Sequence, residues 1–510
     1  MTSALRKKLL SLAIRGKLVP QDPADEPASI LLERILAERE SKENAAPRRG
    51  RGRRSSSDNP PCPKRGTSAA VPAGVEGTAF DPPFPIPESW VWTRLGAILK
   101  VPPRNGYSPK PVANKTKTKR LTLTATTSGY FKPEEFKYVA DEIPFDSYLW
   151  LKPGDLLVQR SNSIEHIGTS CIFNGKPHEY IYPDLMMKLV LAESLDIEFF
   201  DLVLKSDDTL HYFQRNATGS AGSMPKINKE ILENTTIPLP PVAEQHAIVA
   251  RFKKLSSLCD AIDTAEKEID AISRHAKRRI LDFAIRGLLV TQNPTDEPAA
   301  ILLDRIRLTA DKPPCPKKGM KTEPPGISDP LFPIPESWEW TTLGEIGEVV
   351  RGTGIKRSDM SETGRPCVRY GEIYTTYSLR TEKVVSFISE ELFRSSKHVQ
   401  ARSVLMTLTG EDRKDIAKTI AYLGDEPIAI SGDMLGICPR EVEPLYLSFV
   451  LNSPWAIERK GKLATGDLVI HISQKSMSCF PVPLPPLAEQ RRIVAKVEEL
   501  FSVIDAMATK

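Results

Sequence analysis

Polar and basic side chains gather in three short stretches of the first half of the chain, each next to a predicted strand or turn. Arg, Lys, Gln and Asn hydrogen-bond to base edges and phosphates, and glycine lets a backbone approach a phosphate closely. An ordinary solvated loop is the alternative for each stretch. The residues that we predict to contact DNA here are Arg104, Asn105, Tyr107, Lys110, Gln159, Arg160, Ser161, Asn162, Ser220, Ser223 and Lys226.

The second half offers a weaker version of the same pattern. Glu411 and Asp412 could accept from a cytosine amino group, but balancing the adjacent basic residues is the simpler interpretation. Asp467 would repel a phosphate. A further stretch in the first half of the chain, the arginine-rich run 48–54, either adds salt-dependent affinity for DNA or is a solvated linker. The predicted contacts of the second half are Arg351, Thr353, Lys356, Arg357, Arg413, Lys414 and His471.

Motifs for catalysis are missing from the sequence. Asn59-Pro60-Pro61-Cys62 lacks the aromatic residue with which adenine methyltransferases stack on a flipped base. No Gly-x-Gly-x-x-Gly follows a predicted strand, and no phosphate-binding Gly-x4-Gly-Lys-Ser/Thr occurs. The seven histidines are dispersed without metal-ligand spacing. We therefore predict a non-catalytic chain.

Composition sets the class of protein. A chain of 510 residues suggests about three domains, and 26% charged and 40% hydrophobic residues are typical of soluble proteins. A net charge of +5 does not by itself indicate a nucleic-acid partner. The seven cysteines form no Cys-x-x-Cys pair, which favours a reducing cytosol. No run of 18 apolar residues occurs, so we expect a cytoplasmic protein without a membrane span.

The chain contains one unit written twice. Four sequence blocks recur in the same order about 250 residues apart, which indicates two-fold pseudo-symmetry. The matched blocks are 10–35 with 281–306, 60–66 with 313–319, 84–96 with 332–344, and 238–261 with 483–506.

One copy of the repeat contains a long helix, predicted over Leu239–Gly287 and free of proline after Pro241. The other copy is split between the two chain ends. We therefore expect the termini to lie end to end and to pack antiparallel along the apolar seam of the central helix. The predicted seam residues are Leu255, Leu258, Ile262, Ala265, Ile269, Ile272, Ala276, Ile280 and Phe283.

Two unlike segments between the helices show short apolar runs separated by turn residues, which predict mixed α/β domains with a β core. The fold class is accordingly α/β (α+β). The expected domains are 1–40 and 487–510 as the split helical region, 41–82 and 311–330 as linkers, 83–241 and 331–486 as the variable domains, and 242–310 as the central helical region.

Three motifs make the chain resemble the specificity subunits of type I restriction–modification systems. They are Pro-Leu-Pro-Pro-x-Ala-Glu-Gln at 238–245 and 483–490, Ile-Pro-x-Ser-Trp-x-Trp-x-x-Leu-Gly at 86–96 and 334–344, and Ala217–Ile227. The resemblance implies that each variable segment is a target-recognition domain that reads one half of a bipartite, asymmetric DNA sequence. It also implies that the helices set the spacing and dock two methyltransferase subunits, joined by a restriction and translocase subunit. No cofactor is expected in this chain, whereas S-adenosylmethionine, ATP and Mg are expected on the partner subunits.

The charged faces of the central helix are then candidates for contact with a methyltransferase subunit. These candidates are Lys253, Lys254, Lys267, Arg274, Lys277 and Arg278. A stand-alone, two-headed DNA-binding regulator or scaffold is the alternative function. A fused restriction and methylation enzyme would need the motifs that are missing.

Overall fold

The two copies of the repeat fold as two compact units, Met1–Thr264 and Ala265–Lys510. The computed structural model describes residues 2–45, 82–219, 224–309, 331–467 and 469–508.

The described part of the first unit combines six α-helices with nine strands. Its helices are α1 (Thr2–Ile14), α2 (Ala28–Ala45), α3 (Ile197–Leu204), α4 (Asp207–Asn216), α5 (Lys229–Glu233) and the first part of α6 (Val242–Ile285). Its strands are β1 (Val91–Arg94), β2 (Leu99–Asn105), β3 (Thr118–Leu121), β4 (Phe136–Val139), β5 (Leu156–Gln159), β6 (Ser170–Ile172), β7 (Tyr180–Ile181), β8 (Met186–Leu191) and β9 (Thr236–Leu239).

The second unit begins with the rest of α6. Its other helices are α7 (Ala299–Thr309), α8 (Leu343–Ile346), α9 (Tyr370–Thr375), α10 (Glu390–Ser395), α11 (Pro444–Leu451), α12 (Pro454–Leu463), α13 (Gln474–Ser478) and α14 (Leu487–Ala508). Its strands are β10 (Glu339–Thr342), β11 (Gly347–Arg351), β12 (Arg365–Val368), β13 (Arg380–Thr381), β14 (Ser386–Ile388), β15 (His398–Val399), β16 (Ser403–Thr407), β17 (Thr409–Gly410), β18 (Thr419–Tyr422), β19 (Ile428–Ile430), β20 (Met434–Pro439), β21 (Ile470–His471) and β22 (Pro481–Leu484).

The sheets of the two units follow one plan. The main sheet has the order β2-β8-β5-β6 in the first unit and β11-β20-β16-β18-β13 in the second. A smaller sheet has the order β4-β3-β7 in the first unit and β14-β12-β19-β15 in the second, with one parallel pair in each. The mixed α/β fold with β cores is thus confirmed, and the second unit adds β13 and β15 to the shared plan.

Burial on both faces explains the apolar runs of the central strands. Leu156 and Val158 of β5 join a core that contains α3, whereas Leu157 points into a second core that contains Tyr182. All four residues of β5 and all five of β16 are buried. A strand covered on both faces has no need of a polar alternation.

A hydrogen-bond network around one buried carboxylate joins three distant parts of each unit. In the first unit, Glu244 of α6 accepts from Nε1 of Trp90 at 2.7 Å and from Nε2 of Gln21 at 2.5 Å. Ser89 in turn donates to Oε1 of Gln21 at 3.0 Å. Burial raises the pKa of Glu244, and the two donors lower it in part. The network therefore fixes the helix start, the Pro-Glu-Ser-Trp motif and the segment after α1 against one another.

The second unit repeats this network. Glu489 of α14 accepts from Nε1 of Trp338 at 3.0 Å and from Nε2 of Gln292 at 2.6 Å, and Ser337 donates to Gln292 at 3.1 Å. Burial raises the pKa of Glu489 as well. The tryptophans Trp90 and Trp338 are both buried, so each packs in the core as well as donating a hydrogen bond.

The glutamine that follows each buried glutamate holds the variable domain to the helix. Gln245 accepts from the backbone N–H of Asp196, the N-cap of α3, at 3.0 Å and donates to the carbonyl of Pro240 at 2.9 Å. Gln490 makes the same two bonds, to the N–H of Glu443 and the carbonyl of Pro485. An amide side chain is required here because it must accept and donate at once.

Each unit pairs its part of α6 with a terminal helix. In the first unit, Arg6 of α1 forms ion pairs with Asp260 at 2.6 Å and Asp263 at 2.8 Å. In the second unit, Lys277 lies over the ring of Phe501 and pairs with Asp505 of α14 at 2.5 Å. The pairing of the central helix with both terminal helices agrees with the predicted coiled-coil arrangement.

The predicted seam is wrong in the middle of the helix. Leu258, Ile262, Ile269 and Ile272 have exposed fractions of 54%, 45%, 45% and 68%, so nothing in the described part of the chain covers them. The residue that α6 buries near Arg6 is instead Cys259. The heptad pattern identified an apolar stripe correctly, but it could not tell which helix would cover that stripe.

Replacing Trp90 by Phe should weaken the first unit by about 1–3 kcal/mol, because Glu244 then keeps a buried charge with one donor fewer. The free energy of unfolding in urea and hydrogen exchange in the first turns of α6 would measure the loss. Trp92→Phe is the control, since Trp92 packs on Phe84 and its indole makes no hydrogen bond within the described residues. Equal losses in both variants would show that ring packing, and not the bond to Glu244, is what matters.

Candidate DNA interface

The predicted DNA-contacting loops of the first unit meet at one edge of the main sheet. Asn105 at the end of β2 pairs with Met187, and Gln159 at the end of β5 pairs with Met186. Both strands therefore end beside the start of β8. The two predicted loops that follow them are neighbours, although more than 50 residues of chain separate them.

The segment Tyr182–Met186 holds these loops through backbone hydrogen bonds. The N–H of Gly106 donates to Met186 at 3.2 Å, and that of Tyr107 donates to Tyr182 at 2.9 Å. The N–H of Arg160 donates to Leu185 at 2.8 Å. We call Tyr182–Met186 the clamp of the first unit. Sequence reasoning missed it as a site element, and the aspartate before two apolar residues in both units was its only signal.

A third loop joins the same edge. The backbone carbonyl of Arg160 accepts from the N–H of Ile227. Thr218 and Lys226 form two backbone hydrogen bonds with each other, of 2.8 Å each. Ser161 forms a bridge with Lys226. These bonds place the two described ends of this loop, Thr218 and Lys226, beside the end of β5. Ser220 and Ser223 lie outside the described residues, as does the run 48–54.

The second unit reproduces this arrangement bond for bond. The N–H groups of Gly352 and Thr353 donate to Met434 and Ile430, so Ile430–Met434 is the clamp of the second unit. The backbone N–H of Leu408 donates to the backbone carbonyl of Asp433 at 2.8 Å. Thr465 and His471 then exchange two backbone bonds, as Thr218 and Lys226 do. His471 therefore stands where the first unit has Lys226.

Side chains with free polar groups lie around this frame in both units. Arg104, with its guanidinium over the ring of Tyr148 at 5.1 Å, and Tyr107, which donates to Asp141 at 2.8 Å, line the end of β2. The bond to Asp141 raises the pKa of Tyr107. The exposed predicted residues are Arg104, Tyr107, Lys110, Lys226, Arg351, Lys356, Arg357, Arg413, Lys414 and His471, while Asn105, Arg160, Asn162 and Thr353 are partly exposed.

Three predicted contacts are corrected by burial or by internal bonds. Gln159 is 1% exposed and donates to the carbonyl of Leu123 and to the hydroxyls of Thr126 and Thr127. It also accepts from Asn162 at 2.6 Å, so it holds the loop and does not reach a base. Ser161 is equally buried. Residue type alone could not reveal this, because an amide suits an internal network as well as a base edge.

Arg413 is the third correction. Its guanidinium donates to the carbonyls of Gly461 at 3.1 Å and Ala464 at 2.6 Å, at the C-terminal end of α12, and to Gly466. These bonds satisfy carbonyl groups that a helix end leaves without partners. Arg413 therefore positions the loop between Thr465 and His471, and Lys414 remains the exposed cation beside it.

The basic residues of α6 divide into two groups. Lys253 pairs with Glu198, Arg274 pairs with Asp270, and Lys277 pairs with Asp505 within the chain. For Lys277 the predicted partner contact is therefore replaced by a bond to α14. The remaining candidates, which are exposed and have no ion-pair partner in the described part of the chain, are Lys254, Lys267 and Arg278.

Neither a candidate metal site nor a candidate membrane-spanning helix occurs in the described ranges. No cluster of three or more His, Cys, Asp or Glu side chains there has the geometry to hold a metal ion. None of the described helices is both long enough and apolar enough to cross a membrane.

A methyl group at Gly352 would lie 2.0 Å from the carbonyl oxygen of Ser431 and 2.5 Å from that of Ile430. Gly352→Ala should therefore push the end of β11 off its clamp and weaken DNA binding at least about tenfold, since the loop loses its fixed position. Gly354→Ala is the matched control, because a methyl group there meets nothing within 4 Å. Filter binding and hydrogen exchange at residues 351–357 would compare the two; equal affinities would contradict the role of the clamp.

A known protein family matches the chain twice, once in each half. The sequence profile described as type I restriction modification DNA specificity domain matches residues 87–272 and 335–510. The chain is 26% identical to the EcoAI specificity subunit and 25% identical to the EcoEI specificity subunit, both type I restriction enzymes of Escherichia coli. These alignments cover 99% of this chain and 89% and 90% of the two relatives.

A solved structure has a similar fold. It comes from work on complex assembly and conformational transition of the type I R-M system, and it superposes with a TM-score of 0.52 at 19% identity. The match covers 84% of this chain and 94% of the solved one. Because the family profile covers more than half of the chain, in two blocks that carry the loops described above, the protein belongs to the family of type I restriction–modification DNA specificity subunits.

Proposed function

We propose that this chain is the DNA-recognition subunit of a type I restriction–modification complex and that each unit reads one half of a bipartite, asymmetric site. The observation that carries the proposal is the pair of clamps, which hold the same loops in both units but present different side chains. Asn105 and Tyr107 in the first unit correspond to Arg351 and Thr353 in the second, and Lys226 corresponds to His471. Unlike side chains on one frame fit unlike half-sites.

The roles of these residues follow from their chemistry. Arg351 and Arg160 can make bidentate bonds to guanine. Asn105, whose Oδ1 is buried, and Asn162, whose amide bonds to Gln159 and to the N–H of Ser163, suit single contacts instead. Lys110, Lys226, Lys356 and Lys414 suit phosphate contacts, which give affinity but carry no sequence information. We assign Gln159, Ser161 and Arg413 to positioning these groups, because internal hydrogen bonds or burial occupy them.

The partners of the complex are the second part of the proposal. Leu258, Ile262, Ile269 and Ile272 repeat at intervals of four, seven and three residues, which is the spacing of a coiled-coil seam. Such a stripe left exposed is typical of a surface that another helix covers. We assign it to methyltransferase subunits, two per chain, with restriction and translocase subunits joining for cleavage. In this proposal S-adenosylmethionine, ATP and Mg act on those partners, in the cytoplasm.

A stand-alone DNA-binding regulator or scaffold is the competing function. It would leave the exposed stripe of α6 without a role and would bind its target tightly with no methyltransferase present. The stripe therefore favours the subunit.

Replacing residues 84–241 by the first domain of another specificity subunit should change one half of the methylated sequence and leave the other half as it was. The reason is that the contacts that hold each clamp lie within one unit. The measurement is adenine methylation, mapped by single-molecule sequencing in cells that also express the methyltransferase subunit. A methylated motif that is not split, or a change in both halves, would refute independent reading.

Ile269→Asp combined with Ile272→Asp should reduce co-purification of the methyltransferase subunit at least about tenfold, because the partner would have to bury two charges. Ala271→Asp serves as the control, since it adds a charge at an exposed position off the stripe. Pull-down from cells that express both subunits measures the effect. Equal retention of the partner by the control and the double variant would place the docking surface elsewhere.

A further inference from the structure

The first unit contains a half-open cavity of about 550 Å³ that none of the functions above uses. It lies between the end of α1, the segment that opens the variable domain, and α4. Its volume falls within the range of sites for small organic ligands. Its lining includes Ile14, Phe84, Trp92, Asp208, Tyr212 and Arg215.

The same place in the second unit is filled by Trp455. Helices α4 and α12 both begin after a capping serine, Ser206 and Ser453, so Asp208 and Trp455 are each the second residue of their helix. The ring of Trp455 lies 5.2 Å from that of Phe332 and 5.6 Å from that of Trp340. The second unit therefore shows which group this aromatic frame accepts.

The frame itself is unchanged in the first unit. Phe84 and Trp92 pack edge to face at 4.9 Å, as Phe332 and Trp340 do at 5.0 Å. What differs is the filling, because Asp208 replaces Trp455.

A second position loses an aromatic ring as well. Thr235 and Phe480 accept the same backbone bond, from Leu95 and Leu343 respectively, so they are equivalent. Phe480 lies 5.7 Å from Trp455 in the second unit. Two aromatic side chains are thus replaced by two small polar ones around an intact aromatic wall.

The charge of Asp208 is already balanced. Its partner is Arg15 at 3.1 Å, and the Arg15 guanidinium lies over the ring of Phe84 at 4.1 Å. In the second unit Arg286 lies over Phe332 in the same way, but its carboxylate partner is Asp282, four residues earlier on its own helix. The position of Asp282 is Ser11 in the first unit. The arginine is therefore paired in both units, with Asp208 in the first and with Asp282 in the second.

The rim of the cavity carries an imidazole and a guanidinium. His211 and Arg215 line it, and within the described residues neither side chain has a hydrogen-bond or ion-pair partner. An aromatic wall beside an available guanidinium matches a ligand with a flat ring and a negative charge. We propose that this cavity binds a small aromatic anion, with a ring of about indole size where Trp455 lies in the second unit and its anionic group at Arg215 and His211.

The probes for this site are indole-3-acetate, indole and tryptamine, titrated calorimetrically into the full-length chain. Indole-3-acetate should bind at least about tenfold more tightly than tryptamine, with indole between them, because one charge-assisted hydrogen bond contributes that much. Equal affinities for the three probes, or no binding at millimolar concentration, would overturn the proposal.

Two variants test the placement of the ligand. Ser11→Asp with Asp208→Trp and Thr235→Phe copies the filling of the second unit, and it should abolish binding of indole-3-acetate without lowering the midpoint of thermal unfolding. Arg215→Gln should keep binding of indole and remove the preference for the anion. Undiminished binding by the filled variant would place the probe elsewhere on the protein.

The remaining outcomes separate this ligand from polypeptide occupants. Binding that appears only in a Phe80→Ala variant would assign the cavity to the chain's own segment before Pro83, and would overturn the proposal. If the chain binds the probe alone but not after addition of the methyltransferase subunit, the cavity belongs to a side chain of that partner. This result would also overturn the proposal. Binding that persists in the assembled complex supports a free ligand.

Discussion

A buried carboxylate that accepts from an indole and an amide is the interaction on which each unit depends. Glu244 gathers Trp90 and Gln21, and Glu489 gathers Trp338 and Gln292. Each network joins the start of a conserved helix to the start of a variable domain and to a segment after a helix end. A buried charge tolerates few alternatives, because losing one donor leaves it poorly compensated. This demand explains why three separated sequence blocks recur together.

Much of the fold could be predicted from the sequence. Proline and the heptad pattern located α6 within three residues of its observed bounds, and turn residues located the buried strands. The pairing partner of the stripe at Leu258–Ile272 could not be predicted, because a heptad pattern identifies an apolar face and not what covers it. Burial of Gln159 also escaped, since its amide is equally suited to both environments.

The clamps were beyond prediction for a different reason. Tyr182–Met186 and Ile430–Met434 act through main-chain groups, which leave little trace in residue type. The clamps become recognisable because the same backbone hydrogen bonds occur at equivalent positions of both units. Comparison of the two units also reveals Asp208 in place of Trp455, where the shared frame has lost its aromatic filling. Two copies in one chain thus serve as each other's reference structure.

The clamps have a consequence for how such proteins diversify. Because backbone carbonyl and N–H groups hold the loops, the clamps themselves place no demand on the side chains of residues 104–107 and 351–353, apart from Gly106 and Gly352. Mutation at these positions can then change the side chains that face a half-site while the backbone bonds of the clamp remain. On a scaffold of this kind, what a unit recognises can change while what holds it together stays the same.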